Sequence, residues 1–137
     1  MKRIGYSVLL VLGIIATSCD TSVGDDPIYI QVSPVTEVTN PGKFAKDSIT
    51  EIPVDYSLPT KCNVFRGFYY DAADFQRIVA IESYRSGDQS CPADDNAYTN
   101  TLRFKPTALG TYHFKFWIGT DSQGVEQFYE FDAVVDH

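Results

Sequence analysis

Two histidines, eighteen carboxylates, three cysteines and a surplus of aromatic rings are the groups in this chain with chemical potential. His113 shares one face of the segment Thr111 to Ile118 with Lys115 and Trp117, and His137 is the last residue of the sequence. No Gly-x-Ser-x-Gly elbow or comparable nucleophile motif accompanies either histidine, so base catalysis lacks a nucleophile and an orienting group. A glycosidase pair needs two carboxylates about 5 to 9 Å apart across a cleft, a distance that carboxylate counting does not supply. No catalytic residue is assigned, and the chain is not expected to be an enzyme. Asp94-Asp95-Asn96, with Asp88 nearby, forms an oxygen-rich loop of the kind that holds calcium. It lacks the Asp-x-Asp-x-Asp-Gly spacing of a dedicated calcium loop, so no metal ligand and no cofactor is assigned.

The aromatic content carries more information. Of nineteen aromatic residues, eighteen follow Tyr6, more than the core of one small domain needs. The single tryptophan, Trp117, falls on the face opposite Tyr112, Phe114, Phe116 and Ile118. If the strands that carry them share one sheet with Trp117, Phe65 or Tyr69 and Phe128 become its neighbours, with His113, Lys115 and Arg66 or Arg103 supplying polar contacts. Such a platform could stack on sugar rings. The alternative is that Trp117 is covered by a neighbouring strand, the N-terminal segment or a long loop.

The first eighteen residues have the parts of an export signal. Lys2 and Arg3 precede an apolar run from Val8 to Ile15, and the small residues Ala16-Thr17-Ser18 lead to Cys19. The run is too short to remain across a bilayer, which takes roughly twenty apolar residues. Ala16-Thr17-Ser18-Cys19 resembles the lipobox of bacterial lipoproteins, which implies cleavage after Ser18 and acyl chains, palmitate among them, on Cys19. Cleavage without lipidation is the alternative. Asp20 and Asp25-Asp26 after the cysteine are similar to lipoproteins of the Bacteroidetes, which implies an outer-membrane and surface-exposed location. An aspartate directly after the cysteine implies inner-membrane retention in enteric bacteria, so the leaflet depends on lineage. Residues 19–26 read as the lipidated cysteine and a polar tether.

Removing the signal leaves nine basic against eighteen acidic side chains, a net charge of −9. That surface opposes nucleic acid and anionic headgroups as partners. With Cys19 assigned to lipid, Cys62 and Cys91 are expected to form a disulfide closing a loop of about thirty residues, a contribution of roughly 3 kcal/mol. Free thiols or a redox role are the alternatives, and there is no Cys-x-x-Cys spacing to favour the latter.

These groups must be positioned by the segment 27–137, which divides into short β-type runs with no sustained helical periodicity. Strands are expected at Ile28 to Val32, with a continuation to Val38 interrupted by Pro34 and therefore at an edge. Further strands are expected at Ser48 to Tyr56, Cys62 to Tyr70, Phe75 to Tyr84, Thr101 to Lys105, Thr111 to Ile118 and Val125 to Val135. Ile78-Val79-Ala80-Ile81 lacks polar alternation, so a short helix start competes there with a strand. The last strand is expected to place Tyr129, Phe131, Ala133 and Val135 on one face.

About seven strands and no helix indicate an all-β fold, an antiparallel two-sheet sandwich. Ala108-Leu109-Gly110-Thr111-Tyr112-His113-Phe114 resembles the segment leading into strand F of immunoglobulin-like domains. The resemblance implies that Gly110 makes the tight turn, Tyr112 forms the corner hydrogen bond and Phe114 replaces the second core cysteine. The sequence departs from antibody domains in lacking the core disulfide and in carrying its tryptophan on strand F, so the likeness is to divergent domains of this type.

A membrane-anchored, non-catalytic binding or interaction module follows as the expected function. Two alternatives accompany it: a glycan-binding accessory lipoprotein of a polysaccharide-uptake system, and a structural subunit of a surface assembly pairing through the edge strand near Ile28 to Val32.

Overall fold

The computed structural model describes residues 26–87 and 90–137. The export signal, Cys19, most of the tether and Asp88 lie outside the described residues.

Eight strands and no helix make up the described residues: β1 (Ile28–Ser33), β2 (Val35–Val38), β3 (Thr50–Ser57), β4 (Val64–Ala73), β5 (Gln76–Ser86), β6 (Ala97–Phe104), β7 (Gly110–Thr120) and β8 (Glu126–Val135). The Ile78–Ile81 run is strand throughout. Its β-branched residues suit a pleated surface, and both of its faces are covered or nearly so.

Pro34 divides what reads as one strand into two. Without an N–H it cannot continue a ladder. β1 pairs β5, from Ile28↔Ser86 to Ser33↔Ile81, whereas β2 crosses to the other sheet and pairs β3, from Val35↔Tyr56 to Val38↔Val54. One sheet contains β2, β3 and β6, and the other contains β1, β4, β5, β7 and β8.

The expectation of purely antiparallel sheets is corrected at the centre of the larger sheet. β5 and β7 run parallel, from Gln76↔His113 to Val79↔Phe116. The cause is the hairpin between β4 and β5, closed at Ala73↔Gln76 with Asp74 at φ 52°. The hairpin sets β5 rather than β4 against β7, and the chain returns to β7 through β6 of the opposite sheet.

Between the sheets lie Ile52, Val54 and Tyr56 of β3, Leu102 and Phe104 of β6, Val79 and Ile81 of β5, and Tyr112, Phe114 and Phe116 of β7. Phe104 meets Phe114 edge to face at 4.9 Å. Ala133 and Val135 are buried as the alternation of β8 predicts, but Tyr129 is exposed at the far end of that strand. Ile118 is also exposed, because the register shift between Trp117 and Gly119 ends the alternation that would have buried it.

Tyr112 closes a corner with its own approach segment. Its hydroxyl donates to the Ala108 carbonyl at 3.1 Å and accepts from the Ala108 N–H at 3.1 Å. Gly110 has φ 141°, and a Cβ there would lie 2.7 Å from the Phe75 ring, which packs edge-on against Tyr112. Cys62 and Cys91 form a disulfide with Cα atoms 5.9 Å apart. It fastens the loop before β6 to the start of β4, assisted by the Thr60↔Ala93 bridge.

Candidate functional site

The two unlike neighbours of β5 create the site. Along one edge β5 is paired by β7 at Gln76–Val79 and by β1 at Ile81–Ser86, so β7 parts from β5 where β1 enters. At that fork, on the outer face of the larger sheet, lies an open groove of about 340 Å³. This is the lower end of the size range of small-molecule sites.

Each strand of the larger sheet contributes to the groove. Trp117 of β7 and Phe128 of β8 are direct cross-strand partners, and Glu126 lies two residues before Phe128. Ile78 and Ala80 form the β5 portion, Tyr69 of β4 stands opposite Ala80, and Val32 closes the side toward β1. Trp117 is half-buried: its ring lines the groove, while its indole Nε1 is shut off from solvent with no hydrogen-bond partner among the described residues. An unpartnered buried donor costs about 1 to 3 kcal/mol, so its geometry is maintained by the surrounding packing.

Trp117 and Tyr69 therefore come together as the sequence suggests, with Phe128 beside them. Phe65 does not join them. It is expected on the outer face with Tyr69, but the bulge between Phe65 and Gly67 reverses the alternation. Phe65 consequently turns inward, 5.4 Å from the Tyr56 ring and 5.6 Å from Phe68. Arg103 is also placed elsewhere, on β6 of the opposite sheet with Glu51 as its register partner on β3, while Arg66 forms an ion pair with Glu82.

His113 and Lys115 share the outer face with Trp117 but are not among the residues lining the groove, and form a charged ladder beside it. His113 Nδ1 is 2.6 Å from Asp132 Oδ1, and its Nε2 is 3.1 Å from Glu130 Oε1. The Asp132 hydrogen bond, followed by that of Glu130, raises the His113 pKa above its ordinary value. Lys115 Nζ lies 3.9 Å from Glu130 and 4.5 Å over the Phe128 ring. Each nitrogen of His113 faces its own carboxylate, so these groups do not converge on one point. Among the described residues, no three histidine, cysteine or carboxylate side chains do so in a way that would hold a metal ion.

In the Asp94-Asp95-Asn96 loop, Asp94 is buried and turned inward. It accepts from the Tyr98 hydroxyl at 2.6 Å and from the Asn96 N–H and side chain at 3.0 and 2.8 Å. The Tyr98 bond, then those of Asn96, hold its carboxyl below the usual range. Its oxygens are already engaged as acceptors, one by Asn96 of the loop and the other by Tyr98 of β6.

Sequence reasoning missed Val32, Ile78, Ala80 and Glu126. A signal for two of them was present in the unalternating Ile78–Ile81 run, which has apolar residues on both faces. β1, by contrast, alternates, but with its polarity inverted. Ser33 and buried Ser83 share a 3.0 Å hydroxyl contact, to which Asn63 adds a 3.3 Å bond, while the apolar Ile28, Ile30 and Val32 are exposed.

No protein-family model matches the chain, and no curated protein or solved structure does.

Proposed function

We propose that this chain is an envelope lipoprotein of the Bacteroidetes type, anchored in the outer membrane through acylated Cys19, whose sandwich domain captures a ligand without catalysis. The observation supporting ligand capture is the Trp117 groove. Three aromatic residues from three strands line a concave site on a face that a two-sheet core leaves free. The acidic surface turns the reading away from nucleic acid and toward neutral or cationic ligands. Within sandwich folds, the Tyr112 corner favours a divergent immunoglobulin-like type, and the parallel β5–β7 pair marks the divergence.

Because Trp117 is the sole tryptophan, its fluorescence tests the site. The full chain in a polyoxyethylene detergent should give a saturable change with a ligand from a panel of small molecules and neutral oligosaccharides. Trp117→Phe should weaken the same binding in a calorimeter. Binding unaffected by that substitution would remove the groove from the account. Lipidation is tested separately: acyl label should follow the wild-type chain into membranes and be absent from Cys19→Ser.

A second reading, a structural subunit of a surface assembly, is favoured by β1. Ile28, Ile30 and Val32 are 66%, 56% and 47% exposed, an apolar row of the kind that interaction surfaces carry. Ile30→Lys should then abolish self-association in light scattering. If the wild-type chain shows no self-association at high concentration, this second reading fails. The glycan reading uses the same groove as the main one, and the sugar arm of the panel tests it.

A further inference from the structure

We propose that the Trp117 groove is a seat for a small quaternary ammonium ion, with its methyl groups against the rings of Trp117, Tyr69 and Phe128 and its charge toward Glu126. This rests on the reading of the groove as a ligand site and specifies the class of ligand.

The chemistry of the lining discriminates between ligands. Glu126 is the single formally charged residue among those lining the groove, and it is negative. Apart from the three rings, the other lining groups are the hydrocarbon side chains of Val32, Ile78 and Ala80. Aromatic faces attract cations through the ring quadrupole, tryptophan most strongly, and quaternary ammonium ions are held by sets of such rings. Their charged nitrogen carries no N–H donor, so a lining poor in acceptors costs that end of the ligand little.

A sugar presents hydroxyls around its ring, for which this lining provides the Glu126 carboxylate and the Tyr69 hydroxyl. The indole N–H, a natural donor to a sugar oxygen, is shut away from solvent. An anion would meet Glu126 and a chain of net charge −7 without a cation in the groove lining. Phe128 already holds a cation on one face, since Lys115 Nζ sits 4.5 Å from its centroid with Glu130 as counter-charge.

The test uses the full chain in a polyoxyethylene detergent, which presents neither sugar nor ammonium groups. Trp117 fluorescence is followed during titration with choline, tetramethylammonium and the neutral choline isostere that carries a tert-butyl group in place of trimethylammonium. Neutral oligosaccharides form a fourth arm. Choline should bind at least about tenfold more tightly than its neutral isostere. Glu126→Gln should remove most of that preference while leaving the isostere unaffected, and its melting temperature should match that of the wild type. A preference undiminished in Glu126→Gln overturns the placement of the charge toward Glu126, and equal binding of choline and isostere overturns the cation assignment. A sugar that saturates where choline does not overturns it too, yet leaves the groove as a ligand site. If no probe binds, both readings fall.

Discussion

Trp117 stands directly opposite Phe128 at the last regular pair of β7 and β8, one step before the register shift that leaves Ile118 exposed. The two rings thus reach the fork together. They join the groove because regular pairing persists to that point and stops just beyond it.

Phe128→Ala should remove one wall of the groove and the ring beneath Lys115. Phe128 is half-buried outside the main core, so the expected stability loss is about 1 kcal/mol, small beside that for a core phenylalanine. Denaturant melts and ligand titration should separate the effects: binding lost, fold retained. Global unfolding would show that the outer face contributes to stability more than its exposure indicates.

Gly110→Ala introduces a Cβ 2.7 Å from the Phe75 ring and places a side chain at φ 141°. The expected loss is about 1 to 3 kcal/mol, from backbone strain and the clash together. Phe75→Ala in the same chain should recover the steric share and leave the backbone share. Full recovery would assign the entire cost to the ring contact.

Cys62→Ser with Cys91→Ser should lower stability by roughly 3 kcal/mol, since the crosslink spans a sequence separation of 29 residues. Reduction of the wild type should reproduce the loss in chemical denaturation. Groove binding should persist in the folded fraction, because the crosslink joins the β4 start to the loop before β6. A stability unchanged by both treatments would contradict this role.

His113 makes stability depend on pH with a definite sign. Asp132 first, then Glu130, raise its folded pKa above the ordinary 6.5. Their contribution is fully present below the unfolded pKa and is lost as pH rises through the folded one. The site is exposed, so the effect is modest and screened by salt. Proton NMR should show His113 titrating above 6.5 in the wild type and lower in Asp132→Asn, with the two melting temperatures converging at high pH. Titration at the ordinary value in both would remove the interaction.

Much of this fold was legible because alternation and turn residues mark strands locally. Tyr112, Phe114 and Phe116 fall on the buried face as their spacing demands, and the Cys62–Cys91 pairing follows from an even count once Cys19 is set aside. Pairing partners were less legible. Nothing local to Gln76–Val79 reveals that β7 will lie beside it in parallel, because that choice depends on the β4–β5 hairpin taking both positions.

The site was half legible for a related reason. Trp117 and Tyr69 could be placed by parity within a strand. Phe65 could not, since one bulge reverses parity and no residue type announces it. Val32 enters the groove through a sheet change at Pro34, a tertiary event that the sequence marks as an interruption and not as a fork.

Capture of ligand at the fork can be followed at the indole resonance itself. One tryptophan gives one indole N–H signal in a nitrogen-correlated proton spectrum, recorded here on the full chain during titration with choline and with neutral oligosaccharides. This signal should move saturably together with the amides of Tyr69, Ile78, Ala80 and Phe128. Shifts confined to the depression of about 570 Å³ around Lys43, Thr50 and Val134, with the indole signal stationary, would contradict capture at the fork.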